Sequence, residues 1–220
     1  MKILRSFAAV FMMVLLIGNT AFAQESEGSV GDDGGLASDE SITVENVYKL
    51  DSPYGYKYLI AQCKTTSNEN LDVSWDTVSY NKDGGVIETG SSYNAYVAPG
   101  QKFIMYALFL NSDNATNYSY NIHYEKSTYM IPAFSDVNVS TSVSDEKTLT
   151  ITATNTSKTD ISTVQVSTLF FDADDHIIGF DDSYLVNSNY NLEAGETISK
   201  DVSIPTNTDN YEYYYTAYRW

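Results

Sequence analysis

Val73-Ser74-Trp75-Asp76-Thr77-Val78-Ser79-Tyr80-Asn81 lines up with Val164-Gln165-Val166-Ser167-Thr168-Leu169-Phe170-Phe171-Asp172. Each stretch alternates with a period of two, the signature of a strand with one buried face. In the first copy Val73, Trp75, Thr77 and Ser79 share a face; in the second, Val164, Val166, Thr168 and Phe170 do. That face is predicted to be core, with Trp75 filling the first copy; a ligand-stacking indole is the other reading.

The repeat continues outward from these strands. Lys82-Asp83-Gly84-Gly85-Val86-Ile87 answers Ala173-Asp174-Asp175-His176-Ile177-Ile178, a turn leading into a second strand. Tyr93 answers Tyr184, and Ala98-Pro99-Gly100-Gln101 answers Glu193-Ala194-Gly195-Glu196, with four extra residues in the second copy. Asn117-Tyr118-Ser119-Tyr120 answers Asn210-Tyr211-Glu212-Tyr213, so the offset drifts from 91 to 93 residues. A repeat of that length is a domain rather than a solenoid unit. The predicted fold is all-β: two tandem immunoglobulin-like antiparallel β-sandwiches, residues 42–132 and 133–220, parted near Pro132.

Phe171-Asp172-Ala173-Asp174-Asp175-His176-Ile177-Ile178-Gly179 and Leu192-Glu193-Ala194-Gly195-Glu196 resemble the FxLYD domains of secreted bacterial proteins. The polar turn Asn155-Thr156-Ser157-Lys158-Thr159-Asp160 fits the same pattern. Thr77 and Ser79, and Thr168 and Phe170 in the second copy, depart from it. The resemblance implies a small immunoglobulin-like sandwich in an extracytoplasmic protein, and it implies no activity.

Upstream, Lys2 and Arg5 precede the apolar run Phe7–Ile17, and Ala21-Phe22-Ala23 is a small-x-small cleavage site. Residues 1–23 therefore read as a signal peptide cut between Ala23 and Gln24, which places the protein outside the cell or at its envelope. The run falls short of the roughly 20 apolar residues a membrane span needs. Residues 24–41 are Gly/Ser-rich, with six acids and no base, and read as a flexible acidic linker.

The 220 residues carry 29 acids against 12 bases, a net charge of −17, with 43% hydrophobic residues. Such a chain has material for a core and repels phosphate backbones, so no nucleic-acid partner is expected. Residues 42–132 hold nine acids and six bases, whereas 133–220 hold fourteen and four. A cationic partner is therefore expected at the linker or the second unit.

Candidates for chemistry are few. The single cysteine, Cys63, allows no disulfide within the chain and reads as a packed thiol. Asp172, Asp174, Asp175, Asp181 and Asp182 crowd together, but His176 and Ile177 stand where a calcium loop needs a ligand and a glycine. No metal or cofactor is expected. His123 and His176 fall singly, one per unit, and no nucleophile elbow or phosphate loop is present. The tyrosines, 19 in all, hold the most promise. Tyr211, Tyr213 and Tyr215 share a face of the last strand, with Tyr118, Tyr120 and Tyr124 as counterparts. They read either as core or as an aromatic surface for a protein or glycan partner. The expected function is a secreted, non-catalytic binding or structural module of unknown ligand; the alternatives are a carbohydrate-binding protein using exposed tyrosines and a secreted hydrolase.

Overall fold

The computed structural model describes residues 41–91, 93–111, 113–144 and 147–220. Signal peptide, cleavage site Ala23–Gln24 and nearly all of the acidic linker lie outside the described residues. Fourteen strands make up the rest: β1 (Ile42–Asp51), β2 (Lys57–Thr65), β3 (Leu71–Tyr80), β4 (Val86–Thr89), β5 (Asn94–Val97), β6 (Lys102–Phe109) and β7 (Asn117–Lys126). Then follow β8 (Ile131–Pro132), β9 (Val137–Ser144), β10 (Thr148–Asn155), β11 (Thr163–Phe171), β12 (Ile177–Tyr184), β13 (Thr197–Ser203) and β14 (Asn210–Arg219).

In the first unit the sheet β1-β2-β6 faces a sheet in which β3 pairs with β7 on one side and with β4 and β5 on the other. In the second, β13-β10-β9 faces β12-β11-β14-β8. All the pairings are antiparallel, and both units follow one strand plan, an immunoglobulin-like sandwich. The repeat is reproduced at the level of single residues. Val73 opposes Tyr124 and Val164 opposes Ala217; a bulge interrupts Ser79/Tyr80 and, 91 residues later, Phe170/Phe171.

The predicted core faces are buried: Val73, Trp75, Thr77 and Ser79 in one unit, Val164, Val166, Thr168 and Phe170 in the other. Cys63 packs in the first core as a small apolar group, and burial pushes its thiol pKa up. Gly90, between β4 and β5, sits against this core; a Cβ there would stand 2.2 Å from Thr77 Oγ1 and 2.8 Å from Ala107 Cβ.

Four tight loops share one design: Ser52–Tyr56, Asn81–Gly85, Asp172–His176 and Asn187–Asn191. In each, the first N–H donates to the fifth carbonyl, and the fourth N–H donates to the first carbonyl. The first side chain also accepts the third N–H, an Asx or Ser turn, at 2.8–3.2 Å. The fourth residue must then adopt positive φ: Gly55 (86°), Gly84 (80°), Asp175 (60°) and Tyr190 (60°). The last loop is the insertion that lengthens the second copy. Tyr190 is exposed, so no packing offsets its left-handed backbone. Tyr190→Gly is expected to stabilise by about 0.5–1 kcal/mol, read as a Tm rise of roughly 1–4 °C. An unchanged or lower Tm would show that the loop relaxes in the wild type.

Two expectations need correction. β11 is predicted to bury one face, yet both its faces are covered, as are those of β2. Ile60 and Ile104 pack against Leu169 and Phe171, with Tyr48, Tyr58, Phe180 and Tyr214 around them. The outer face of β1-β2-β6 thus lies on the outer face of β12-β11-β14, and the two sandwiches form one stack. The boundary also shifts. Ile131 and Pro132 pair with Arg219 and Tyr218, so β8 belongs to the second unit's sheet rather than to residues 42–132.

Candidate functional site

The tyrosine stripe of β14 is an internal seam of the second sandwich. Tyr211, Tyr213 and Tyr215 pack their half-buried rings against its core, and their hydroxyls reach across to β9. Tyr213 donates to the Val139 carbonyl (3.3 Å), Tyr215 to that of Val137 (3.1 Å), and Tyr211 meets Thr141 Oγ1 (3.1 Å). Residues spaced by two on β14 therefore meet residues spaced by two on β9, because each strand shows alternate side chains to the other. Of the two readings of this stripe, core or aromatic surface, the packing follows the core one. Its counterparts Tyr118, Tyr120 and Tyr124 likewise pack on the first core.

The Tyr214 side chain and Tyr215 backbone of β14, with Asp182 of β12, meet the first sandwich. Gln62 Nε2 donates to Tyr214 Oη (2.6 Å), Gln101 Nε2 to the Tyr215 carbonyl (2.9 Å), and Tyr106 Oη to Asp182 Oδ2 (3.0 Å). Asp182 also accepts from Gln165 (2.6 Å) and Ser167 (2.8 Å). Burial still raises its pKa, because three donors without a cation do not replace bulk water.

At one end of this interface an aromatic corner reaches solvent. Tyr96 of β5 stacks edge-on against Tyr218 of β14 (4.8 Å between centroids), and Tyr218 leans on Trp220 (6.1 Å). Tyr184 of β12 lies beside them: its phenol pKa is raised by burial, by Asp182 and by Tyr218. Tyr184 is 55% and Trp220 65% exposed. Both sandwiches build the corner, and sequence order separates Tyr96 from Tyr218 by 122 residues. The one clue along the chain was the aromatic-rich end Tyr211–Trp220.

Two concavities flank the stack. One, of about 660 Å³, opens between Lys49, Leu50, Lys57, Tyr58 and Tyr118 of the first unit and Ile177 and Ile178 of the second. Lys49 holds its ammonium 5.2 Å over the Tyr118 ring, and Lys57 is paired with Asp51 at 2.7 Å. The hairpin beside it carries Tyr54 and Tyr56, stacked at 6.0 Å with planes 19° apart. The other, of about 130 Å³, adjoins the aromatic corner and is lined by Asp72, Tyr96, Glu125, Tyr129 and their neighbours.

The acidic stretch of the second unit is spent on structure. Asp172 Oδ1 accepts the N–H groups of Asp174 and His176, which hold its carboxyl pKa down, while Asp181 accepts from Ser183. Among the described residues no three His, Cys, Asp or Glu side chains converge as metal ligands. His123 Nε2 meets Asp76 Oδ2 at 2.9 Å on the outer sheet face, with Ser74 in register opposite His123. No hydrogen bond joins Ser74 to His123, so the three side chains are not linked as a nucleophile and its base.

No known protein family matches the sequence, and no curated protein does. Among solved structures it is similar to a red sea bream transglutaminase (9% identity, TM-score 0.27), covering 74% of this chain and 27% of that one. It is also similar to a Bacteroides vulgatus β-glycosidase (10%, TM-score 0.19; 69% and 22% covered). A third is the C-terminal globular domain of a Pyrococcus abyssi oligosaccharyltransferase (9%, TM-score 0.21; 81% and 47% covered). The chain thus spans less than half the length of each. Among the described residues no helix is long and apolar enough to cross a membrane.

Proposed function

We propose that the chain is a secreted, non-catalytic binding module, acting at the cell surface or in the extracellular medium through the aromatic corner. The exposed Tyr184 and Trp220, backed by Tyr96 and Tyr218, carry this reading. Large aromatic side chains of this kind supply contact area at low entropic cost. The Tyr218 plane stands 63° from that of Tyr96 and 53° from that of Trp220, so the corner is not flat, which suits an irregular protein surface better than a flat sugar face. The signal peptide read in residues 1–23 and the FxLYD resemblance support secretion.

The test is to immobilise the mature chain from Gln24 and expose it to envelope and medium of the producing cell. A Tyr184→Ser/Trp220→Ser double variant, folded by circular dichroism, is expected to lose the retained partner. Equal retention by the variant, or turnover of polysaccharide or peptide pools, would overturn the reading.

A second reading, carbohydrate binding, is favoured by the Tyr54–Tyr56 pair. Its nearly parallel planes at an exposed hairpin tip suit sugar stacking.

A further inference from the structure

Strand pairing sets a row across the first unit: Tyr96 of β5 opposes Asp72 of β3, which opposes Glu125 of β7. With Tyr129 they line the 130 Å³ cavity beside the aromatic corner. Like charges directly opposite on a sheet destabilise it. Here the pair also lacks compensation, since Lys126 at the rim is held by Glu69 (2.8 Å) and no ion pair among the described residues reaches Asp72 or Glu125. Burial, then the Glu125 charge, raises the Asp72 pKa. A cation in the cavity would relieve this, and tyrosine faces attract cations and the aliphatic stems that carry them.

The second unit shows what can lie alongside. Glu125 and Lys126 correspond, at the repeat offset of 93, to Tyr218 and Arg219, the two residues with which β8 pairs. In the first unit β7 pairs with β3, and no described strand lies on its other edge. Among the described residues nothing takes beside β7 the place that β8 fills beside β14.

We propose that this edge of β7 accepts an extended segment of a partner protein, which adds beside Glu125 and Lys126 and sets a lysine or arginine side chain into the cavity lined by Tyr96, Tyr129, Asp72 and Glu125. The inference rests on the binding-module reading and names its partner's chemistry. Strand addition supplies backbone hydrogen bonds, and the cavity selects the side chain. Charge decides among occupants. The chain's own linker carries six acids and no base, and a second copy brings another −17, so both are repelled. Under this proposal a cationic partner meets the first unit, not the linker or the second unit.

The test is calorimetry of the mature chain from Gln24 with an eleven-residue peptide of alternating lysine and serine. Glutamine–serine and alternately N-methylated lysine–serine peptides, and a chitosan oligomer, serve as comparisons. The lysine peptide is expected to bind at least tenfold more tightly than either variant peptide or the oligomer. Asp72→Asn/Glu125→Gln is expected to lose tenfold or more. Affinity should fall with salt, and also as pH drops through the raised Asp72 pKa, because protonation removes the counter-charge. Equal binding of the glutamine peptide overturns the cavity's role, and equal binding of the methylated one overturns strand addition. Tighter binding of chitosan overturns the protein partner. A tenfold gain on deleting residues 24–40 would assign the edge to the linker and overturn the proposal too. Loss of envelope capture in Tyr184→Ser/Trp220→Ser, alongside failure of every peptide, would retain the module reading and sink this inference alone.

Discussion

Trp75→Ala is expected to cost ~3–5 kcal/mol and to pull the urea midpoint down accordingly. The indole is buried at the centre of the first sandwich, 2% exposed, with Tyr120 at 6.0 Å between ring centroids. Removing it leaves a void ringed by strands of both sheets, whose backbones are fixed by their ladders and cannot collapse inward. Trp75→Phe separates volume from polarity. The Trp75 indole N–H has no protein acceptor, so phenylalanine loses bulk but no hydrogen bond. Its cost should therefore be well under half that of alanine. Equal costs for the two variants would mean that the indole makes a bond the packing does not show; an unchanged midpoint in the alanine variant would mean the face is not core.

The alternation that located Trp75 also located both sandwiches, because a strand with one wet face writes its burial as a period of two. Loop chemistry was readable for a similar reason: Asn81, Asp172 and the Ala-Gly-Glu turn act through neighbours within four residues. The stacking of the sandwiches was not readable. β11 is buried on both faces, yet its outer face carries Thr163, Gln165 and Ser167, which look like solvent residues. Gln165 and Ser167 are satisfied by Asp182, which also accepts from Tyr106 of the other unit. Polar residues paired inside an interface mimic a wet face, and β2 with Gln62 repeats the effect. The aromatic corner and the Asp72 cavity were hidden for a different reason. Tyr96, Glu125 and Tyr218 become neighbours only through strand order and the stacking angle, neither of which a linear pattern records. The Tyr211–Tyr215 stripe stayed open between core and surface for a third reason: tyrosine composition cannot distinguish a ring whose hydroxyl meets water from one whose hydroxyl meets a β9 carbonyl.

Leu169→Asp is expected to separate the two sandwiches energetically, which a tandem pair joined only by its linker would not show. Leu169 is fully buried between them, beside Ile60, Ile104 and Phe171. Burying each such side chain contributes ~1.5–3 kcal/mol, so the apolar centre alone couples the units by several kcal/mol. Tyr58–Phe180 and Tyr106–Phe180 ring contacts, at 5.3 and 5.0 Å, add to it. With such coupling the wild type should unfold in one transition, with β3 and β10 amides exchanging at a common free energy. Leu169→Ala should cost ~2–5 kcal/mol and keep that single transition, because the interface shrinks without being charged. An aspartate there has no cation at hand. It faces Glu212 across the β11–β14 ladder and must either desolvate its charge or open the interface. Opening is the cheaper course, since both sandwiches keep their own cores. Hydrogen exchange should then resolve two stabilities in the aspartate variant, one for each sandwich. A single transition in that variant, or two in the wild type, would show that the packed faces carry little of the coupling assigned to them.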